Sequence, residues 1–264
     1  MPGLSLGLDS STQGLTAVVI DIDSGKKVFD KTLDYRADSR LNRFGINERY
    51  ILPGEEGEAD QPPKMFFASL DAMFEDMPLE VKRDIVRINT SGQQHGHVYL
   101  NYSAVFNFGS LGADMFFRHR PEGSDLVQVL EGSLAYVRAP TWMTSNTGVE
   151  ADEIRQAVGG KQRMIELSGS DSPLRFTGTI IRKNRKKHGE CLTQTEKIQL
   201  IGNLIPAILT GNSNVPADFA NACGMSLMDY RKKEWSSELI DAVSNGLAYV
   251  GTHLRDKLPK LVKQ

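Results

Sequence analysis

The first 35 residues constrain this chain most, because they read as three successive strands with no helix between them. Leu4, Leu6 and Leu8 alternate with Ser5 and Gly7, the period of a half-buried strand. A run of small polar residues follows, Asp9, Ser10, Ser11, Thr12, Gln13 and Gly14, and suits a turn. Residues 15–20 are apolar and rich in β-branched side chains, and Asp23, Ser24 and Gly25 supply a hairpin signal before a third strand over 26–35. This opening builds an antiparallel three-stranded unit. It differs from a dinucleotide-binding unit, whose first strand feeds a helix through glycines.

Downstream, Phe66, Phe67, Leu70 and Met73 predict one apolar face of a helix over 64–77. Residues 84–90 predict a strand whose end carries the polar loop Ser91, Gly92, Gln93, Gln94, His95, Gly96 and His97. A short helix over 150–158, acidic at its start, stops at Gly159 and Gly160. Thr193 and Glu196 make a capping box for a helix carrying Ile198, Ile201, Ile205 and Ile208, which Pro206 is expected to kink. The acidic run at 55–60 reads as solvated surface, and the basic hexamer at 182–187 as a solvated loop.

Charge sets limits on partners. Lys and Arg number 31 against 33 Asp and Glu, a formal charge of -2, so no general attraction to nucleic acid or anionic lipid is expected. The basic hexamer has no interleaved aromatic residues, which also speaks against nucleic acid. A chain of 264 residues, 40% hydrophobic and 24% charged, is that of a globular protein with one large domain or two small ones. Gly202, Pro206, Gly211 and Pro216 interrupt the most apolar stretch well short of the roughly 20 residues that span a membrane. The first basic residue is Lys26, so the start lacks the charged region of a signal peptide. Cys191 and Cys223 are too few and too isolated for a metal knuckle or a disulfide framework, which fits a reducing cytoplasm.

Three stretches carry possible chemistry. The turn at 9–14 offers closely spaced backbone N–H groups, hydroxyls and the carboxylate of Asp9. It suits either a phosphate nest with a water-held Mg²⁺ or simply a hairpin. Gln94 and His95, between Gly92 and Gly96, can each donate and accept hydrogen bonds to a polyhydroxylated ligand, or His95 is a satisfied structural residue. No third His or Cys lies near enough for zinc. Asp218, in a run of small and apolar residues, is either a helix N-cap or a partly buried base.

Six separated motifs stand in order along the chain: Gly-Leu-Asp-Ser-Ser-Thr-Gln at 7–13, Ser-Gly-Gln-Gln-His-Gly at 91–96, and Trp142-Met143 with Ser145. Leu-Ser-Gly-Ser at 167–170, Arg-Phe-Thr-Gly at 175–178 and Ala-Asp-Phe-Ala-Asn-Ala-Cys-Gly at 217–224 complete them. Through these motifs the whole chain resembles the N-terminal domain of the FGGY carbohydrate kinases, nearest their xylulose kinase branch. The resemblance implies a mixed α/β, ribonuclease H-like (actin-like ATPase) fold with three antiparallel N-terminal strands and flanking helices. It implies a sugar-binding domain over 1–264 and transfer of a phosphoryl group from MgATP to a ketopentose such as xylulose. By that resemblance Asp9, Ser10, Ser11, Thr12 and Gln13 face the ATP phosphates, and Asp9 holds Mg²⁺ through water. Gln94, His95 and Arg175 hold the sugar, and Asp218 is the general base. The reading requires the tip near Thr12, His95 and Asp218 to meet in one cleft.

The chain departs from the family in two side chains. Thr16 stands where related kinases carry Lys or Arg, and Thr144 where the xylulose kinase branch carries Asp. The family's second, ATP-binding domain is not among these residues, so a missing lobe or a separate chain is expected as partner, with the chain inactive alone. An uncovered apolar face would favour a homodimer. Two other readings stand beside this one: a non-catalytic sugar- or partner-binding module of the same fold, and a lobe for another polyol such as ribulose or glycerol.

Overall fold

The computed structural model describes residues 3–111, 124–189, 193–247 and 253–263; Cys191 lies outside them. The opening forms as expected: β1 (Leu4–Ser10), β2 (Gly14–Asp21) and β3 (Lys27–Asp34) are antiparallel neighbours. Leu4, Leu6, Leu8, Leu15, Ala17 and Val19 all turn to the core, which is why the period of two was so clear. A two-residue strand, β4 (Asp60–Gln61), precedes helix α1 (Pro63–Asp76), with proline at its first position, where the missing N–H costs nothing. α1 is buried on more than the one predicted face. The helical turn Ser39–Phe44 and the helix Leu126–Leu130 pack on it in addition to the sheet, enclosing Met65 and Phe74 as well.

β5 (Ile85–Gly92) adds to the sheet parallel to β1, giving the order β3-β2-β1-β5. This register positions the site. Ser10 lies opposite Gly92, so the turn after β1 and the polar loop after β5 leave the sheet side by side at the carboxyl ends of parallel strands. β6 (His97–Asn101) continues from that loop, and β7 (Ala139–Pro140) pairs with β4. Further on come α2 (Gly148–Ala157), α3 (Thr177–Lys187), β8 (Thr195–Leu200) and α4 (Ile201–Thr210). Then follow β9 (Ala217–Asp218), α5 (Phe219–Cys223), α6 (Ser237–Ser244) and β10 (Leu261–Val262), the last parallel to β9. One core lies between the sheet, α1 and α4, and a second gathers Tyr99, Ile181, Ile198, Leu227, Leu239 and Val243 around β6, β8, α3 and α6.

Three local expectations are corrected. Residues 195–200 are a strand, not the first turn of a helix: β8 pairs with β6 along its length, and tertiary pairing overrides the capping-box pattern at Thr193 and Glu196. The helix starts at Ile201 and continues through Pro206 to Thr210. The basic hexamer is the last half of α3, not a loop, and Arg182, Lys183 and Asn184 are buried. The acidic run is likewise not all solvated, since Asp60 is 2% exposed and Glu58 largely covered. Each run supplies the other's counter-charges. Lys183 Nζ lies 3.5 Å from Glu58 and donates to Asn146 Oδ1 at 2.9 Å, Lys187 pairs with Glu55, and Arg138 pairs with Asp60 at 2.8 Å. Arg182 completes the network through Glu153 at 2.7 Å and the carbonyls of Val243 and Asn245.

Candidate active-site cleft

Two adjoining cavities open at the carboxyl ends of β1 and β5 and share Gln94, His95 and Arg175 as a common wall. The larger, about 480 Å³, is lined by Asp9, Ser11, Thr12, Gly92, Gln93 and Trp142 besides the shared residues. The other, about 330 Å³, continues past Phe176 to the Ser168–Gly169–Ser170 turn and to Ala220, Asn221, Cys223 and Gly224. Segments from six parts of the chain therefore converge on one cleft.

On the hairpin side, the Ser11 hydroxyl donates to Gly14 O at 3.0 Å and closes the turn. Thr12 Oγ1 accepts from Trp142 Nε1 at 2.8 Å. Asp9 Oδ1 accepts from the Ser91 hydroxyl at 2.5 Å, which leaves the second carboxylate oxygen for other donors. Ser10 points the other way: it is 1% exposed and bonded to Tyr35 Oη at 3.2 Å, so its side chain belongs to the core. Gln13 is exposed, outside the lining of either cavity. Alternation along β1 explains the difference, since Asp9 and Ser10 must face opposite sides of the sheet.

His95 is the most constrained residue of the cleft. Its φ is +65°, a left-handed backbone that non-glycine residues seldom adopt, and its carbonyl accepts from Thr177 Oγ1 at 3.1 Å. The ring stacks on Phe176 with centroids 4.3 Å apart, and Nδ1 is 2.9 Å from Gly224 O. A carbonyl can only accept, so Nδ1 carries the proton and Nε2 is the acceptor of the neutral ring. Burial lowers the pKa of His95 despite the Gly224 bond, and the Arg175 cation lowers it further, so the ring is neutral near pH 7. Gly224 is required here, because a Cβ would sit 2.8 Å from His95 Nδ1. His97, from the same polar run, is a different kind of residue: fully buried in β6, it accepts from Tyr99 Oη, which in turn accepts from Asn184 Nδ2 of α3.

Arg175 lines both cavities just before α3. Asp218 does not line either. It is the N-cap of α5: Oδ1 accepts from Ala220 N at 2.9 Å and Asn221 N at 3.0 Å, and Oδ2 accepts from Asn221 Nδ2 at 2.5 Å. Of the three residues expected to meet, Thr12 and His95 line the cleft, while Asp218 caps the helix that carries the lining residues Ala220 and Asn221. Ser168, Ser170, Asn221 and Trp142 are cleft residues whose positions no local pattern singled out; only their places within the six motifs marked them. Of the two departures, Thr144 is buried and donates to Ala59 O at 3.2 Å, away from the cleft. Thr16 lies on β2 directly opposite Asp9, bonded to Thr32.

Asp9 is the only carboxylate among the lining residues, and no group of three His, Cys, Asp or Glu among the described residues could cage a metal. One carboxylate with a free oxygen fits Mg²⁺, which keeps most of its waters and takes one or two carboxylates alongside phosphates.

A mixed sheet of three antiparallel strands plus one parallel, with hairpin and polar loop facing one cleft, is the fold this chain shares with solved carbohydrate kinases. Its sequence relatives include xylulose kinases. That of Schizosaccharomyces pombe is 32% identical over 260 residues, covering 96% of this chain and 42% of the relative. Xylulose kinase 2 of Arabidopsis thaliana is 32% identical over 248 residues, covering 92% of this chain and 42% of the relative. Among solved structures, a ligand-bound xylulose kinase from Lactobacillus acidophilus superposes with a TM-score of 0.70 at 18% identity, over 98% of this chain and 42% of that one. A Plasmodium falciparum glycerol kinase with ADP gives 0.63 at 14% identity, over 98% of this chain and 43% of that one. No family model matches the chain. The chain thus spans about two fifths of the length of the relatives it matches. Among the described residues no helix is long and apolar enough to cross a membrane.

Proposed function

We propose that this chain is the sugar-binding lobe of an ATP-dependent ketopentose kinase, with xylulose the leading substrate. The observation that carries the reading is the shared cleft: Asp9, Ser11 and Thr12 meet His95 and Arg175 although 166 positions separate the first from the last (175 − 9). Relatives named as xylulose kinases, matched over almost the whole chain, support the same substrate class. In this reading the backbone N–H groups and hydroxyls of the 9–14 turn receive phosphate oxygens, and Asp9 holds a Mg²⁺ hydrate. Mg²⁺ would supply neutralisation of phosphoryl charge. His95 Nε2 accepts from a sugar hydroxyl, and the Arg175 guanidinium donates to ketose oxygens. Asp218 caps α5 and holds the Ala220–Asn221 wall, and its Oδ2, with a single donor, keeps a lone pair with which it would accept the proton of the attacking sugar hydroxyl.

Phosphoryl transfer relies on positioning and on excluding water, and a single open lobe does neither fully. The reading therefore includes a second, ATP-binding lobe, in the same polypeptide or another, and a cytoplasmic setting. Calorimetric titration of the chain with D-xylulose, D-ribulose and glycerol tests the sugar assignment. Coupled ADP release, with and without the second lobe of the S. pombe relative fused after residue 264, tests the lobe assignment. Saturable ketopentose binding, with turnover only in the fusion, is the expected result. No binding of any polyol refutes the reading. Turnover by the chain alone refutes the need for a second lobe. The alternative of a non-catalytic sugar-binding module predicts binding without turnover in the fusion.

A further inference from the structure

Gln61 has no place in the chemistry described so far, yet it is completely buried between three segments that wall the cleft. Its Nε2 donates to Thr12 O at 2.8 Å and to Tyr50 O at 2.7 Å, using both amide hydrogens. Its Oε1 accepts from Gln93 Nε2 at 2.7 Å. Through β4 it pairs with Ala139 of β7, three residues before Trp142, whose indole holds the Thr12 side chain. One amide therefore ties the hairpin tip, the polar loop and the tryptophan segment together.

The direction of each bond is forced. Because both Gln61 hydrogens go to backbone carbonyls, its oxygen can only accept, and Gln93 must turn its nitrogen toward it. Gln93 Oε1 is then left without a partner among the described residues and is itself covered, although the side chain, 9% exposed, borders the cleft.

We propose that Gln61 is a positioning residue of the cleft, locking the hairpin tip to the polar loop at fixed spacing and fixing the direction of the Gln93 amide. Fixed spacing between the phosphate-facing turn and the sugar-facing loop is the kind of preorganisation that phosphoryl transfer needs.

Two near-isosteric variants separate the roles, Gln61→Met and Gln93→Met, each in a Trp235→Phe background so that Trp142 is the sole tryptophan. Gln61→Met is expected to raise amide exchange about tenfold at 11–14 and at 92–96, with residues 239–243 unchanged, and to make Trp142 more accessible to acrylamide. Gln93→Met should raise exchange about tenfold at 92–96 while leaving 11–14 protected. Unchanged exchange at 11–14 in Gln61→Met, or an equal rise throughout the chain, overturns the positioning role. Exchange at 11–14 that rises in Gln93→Met as much as in Gln61→Met overturns the assignment of the lock to Gln61.

Discussion

His97 should make this fold measurably acid-sensitive. The imidazole is fully buried in β6, with Nδ1 3.1 Å from His95 O and Nε2 2.8 Å from Tyr99 Oη. The carbonyl fixes the proton on Nδ1, so Nε2 must accept from Tyr99, and a second proton would break that bond as well as charge a dry site. Burial accordingly lowers its pKa from 6.5 to about 4. For a base depressed on folding, the unfolded chain binds the extra proton first, so stability rises with pH between about 4 and 6.5 and falls as pH drops through that window. The shift from 6.5 to about 4 corresponds to about 3 kcal/mol at 1.36 kcal/mol per unit. Urea unfolding of the parent and of His97→Gln at several pH values between 7 and 4.5 isolates the effect, because other groups titrate in both. The parent should be the more stable at pH 7, and its advantage should shrink by about 2–3 kcal/mol by pH 4.5. An advantage independent of pH would show that His97 is not neutral in the folded chain or not dry, and the reasoning would fail.

Three further outcomes follow from the same geometry. Gly224→Ala places a Cβ 2.8 Å from His95 Nδ1, so D-xylulose affinity measured by titration should fall about tenfold while the unfolding free energy drops by no more than overpacking costs, about 1–3 kcal/mol. Asp218→Asn keeps a good N-cap and should leave stability nearly unchanged, whereas Asp218→Ala should cost about 1 kcal/mol in denaturant unfolding. In an active two-lobe fusion Asp218→Asn keeps the cap but cannot take up a proton, so turnover should fall ~10²–10⁴-fold; near-parent turnover would leave Asp218 as the cap alone. Lys183→Met takes one cation from Glu58, which keeps Arg138 at 3.6 Å, and removes the Nζ donor to Asn146 Oδ1, so it should cost about 1–3 kcal/mol by urea unfolding, with part recovered by adding Glu58→Gln.

The amino-acid order alone was enough for the three-stranded opening, the strand into the polar loop and the helix over 150–158. In β1, β2 and α2 one face is buried as the pattern requires, whereas β3 buries only Leu33 and β5 no residue fully, and both are held by pairing within the sheet. Spaced motifs were enough for the family likeness and for Asp9, Thr12, His95 and Arg175. What local pattern could not settle depended on partners distant in sequence. Residues 195–200 became a strand because β6 lies beside them, and the run at 182–187 became a buried helix because carboxylates at 55–60 and 150–153 neutralise it. Ser10 was grouped with Asp9, but strand alternation sent its hydroxyl to Tyr35. Asp218 offers the sharpest case: composition allows a base or a cap, and only the folded chain shows the cap, with three donors converging on its carboxylate. Hydrogen-bond saturation and burial are properties of folded neighbours, so they appear only once the chain has closed on itself.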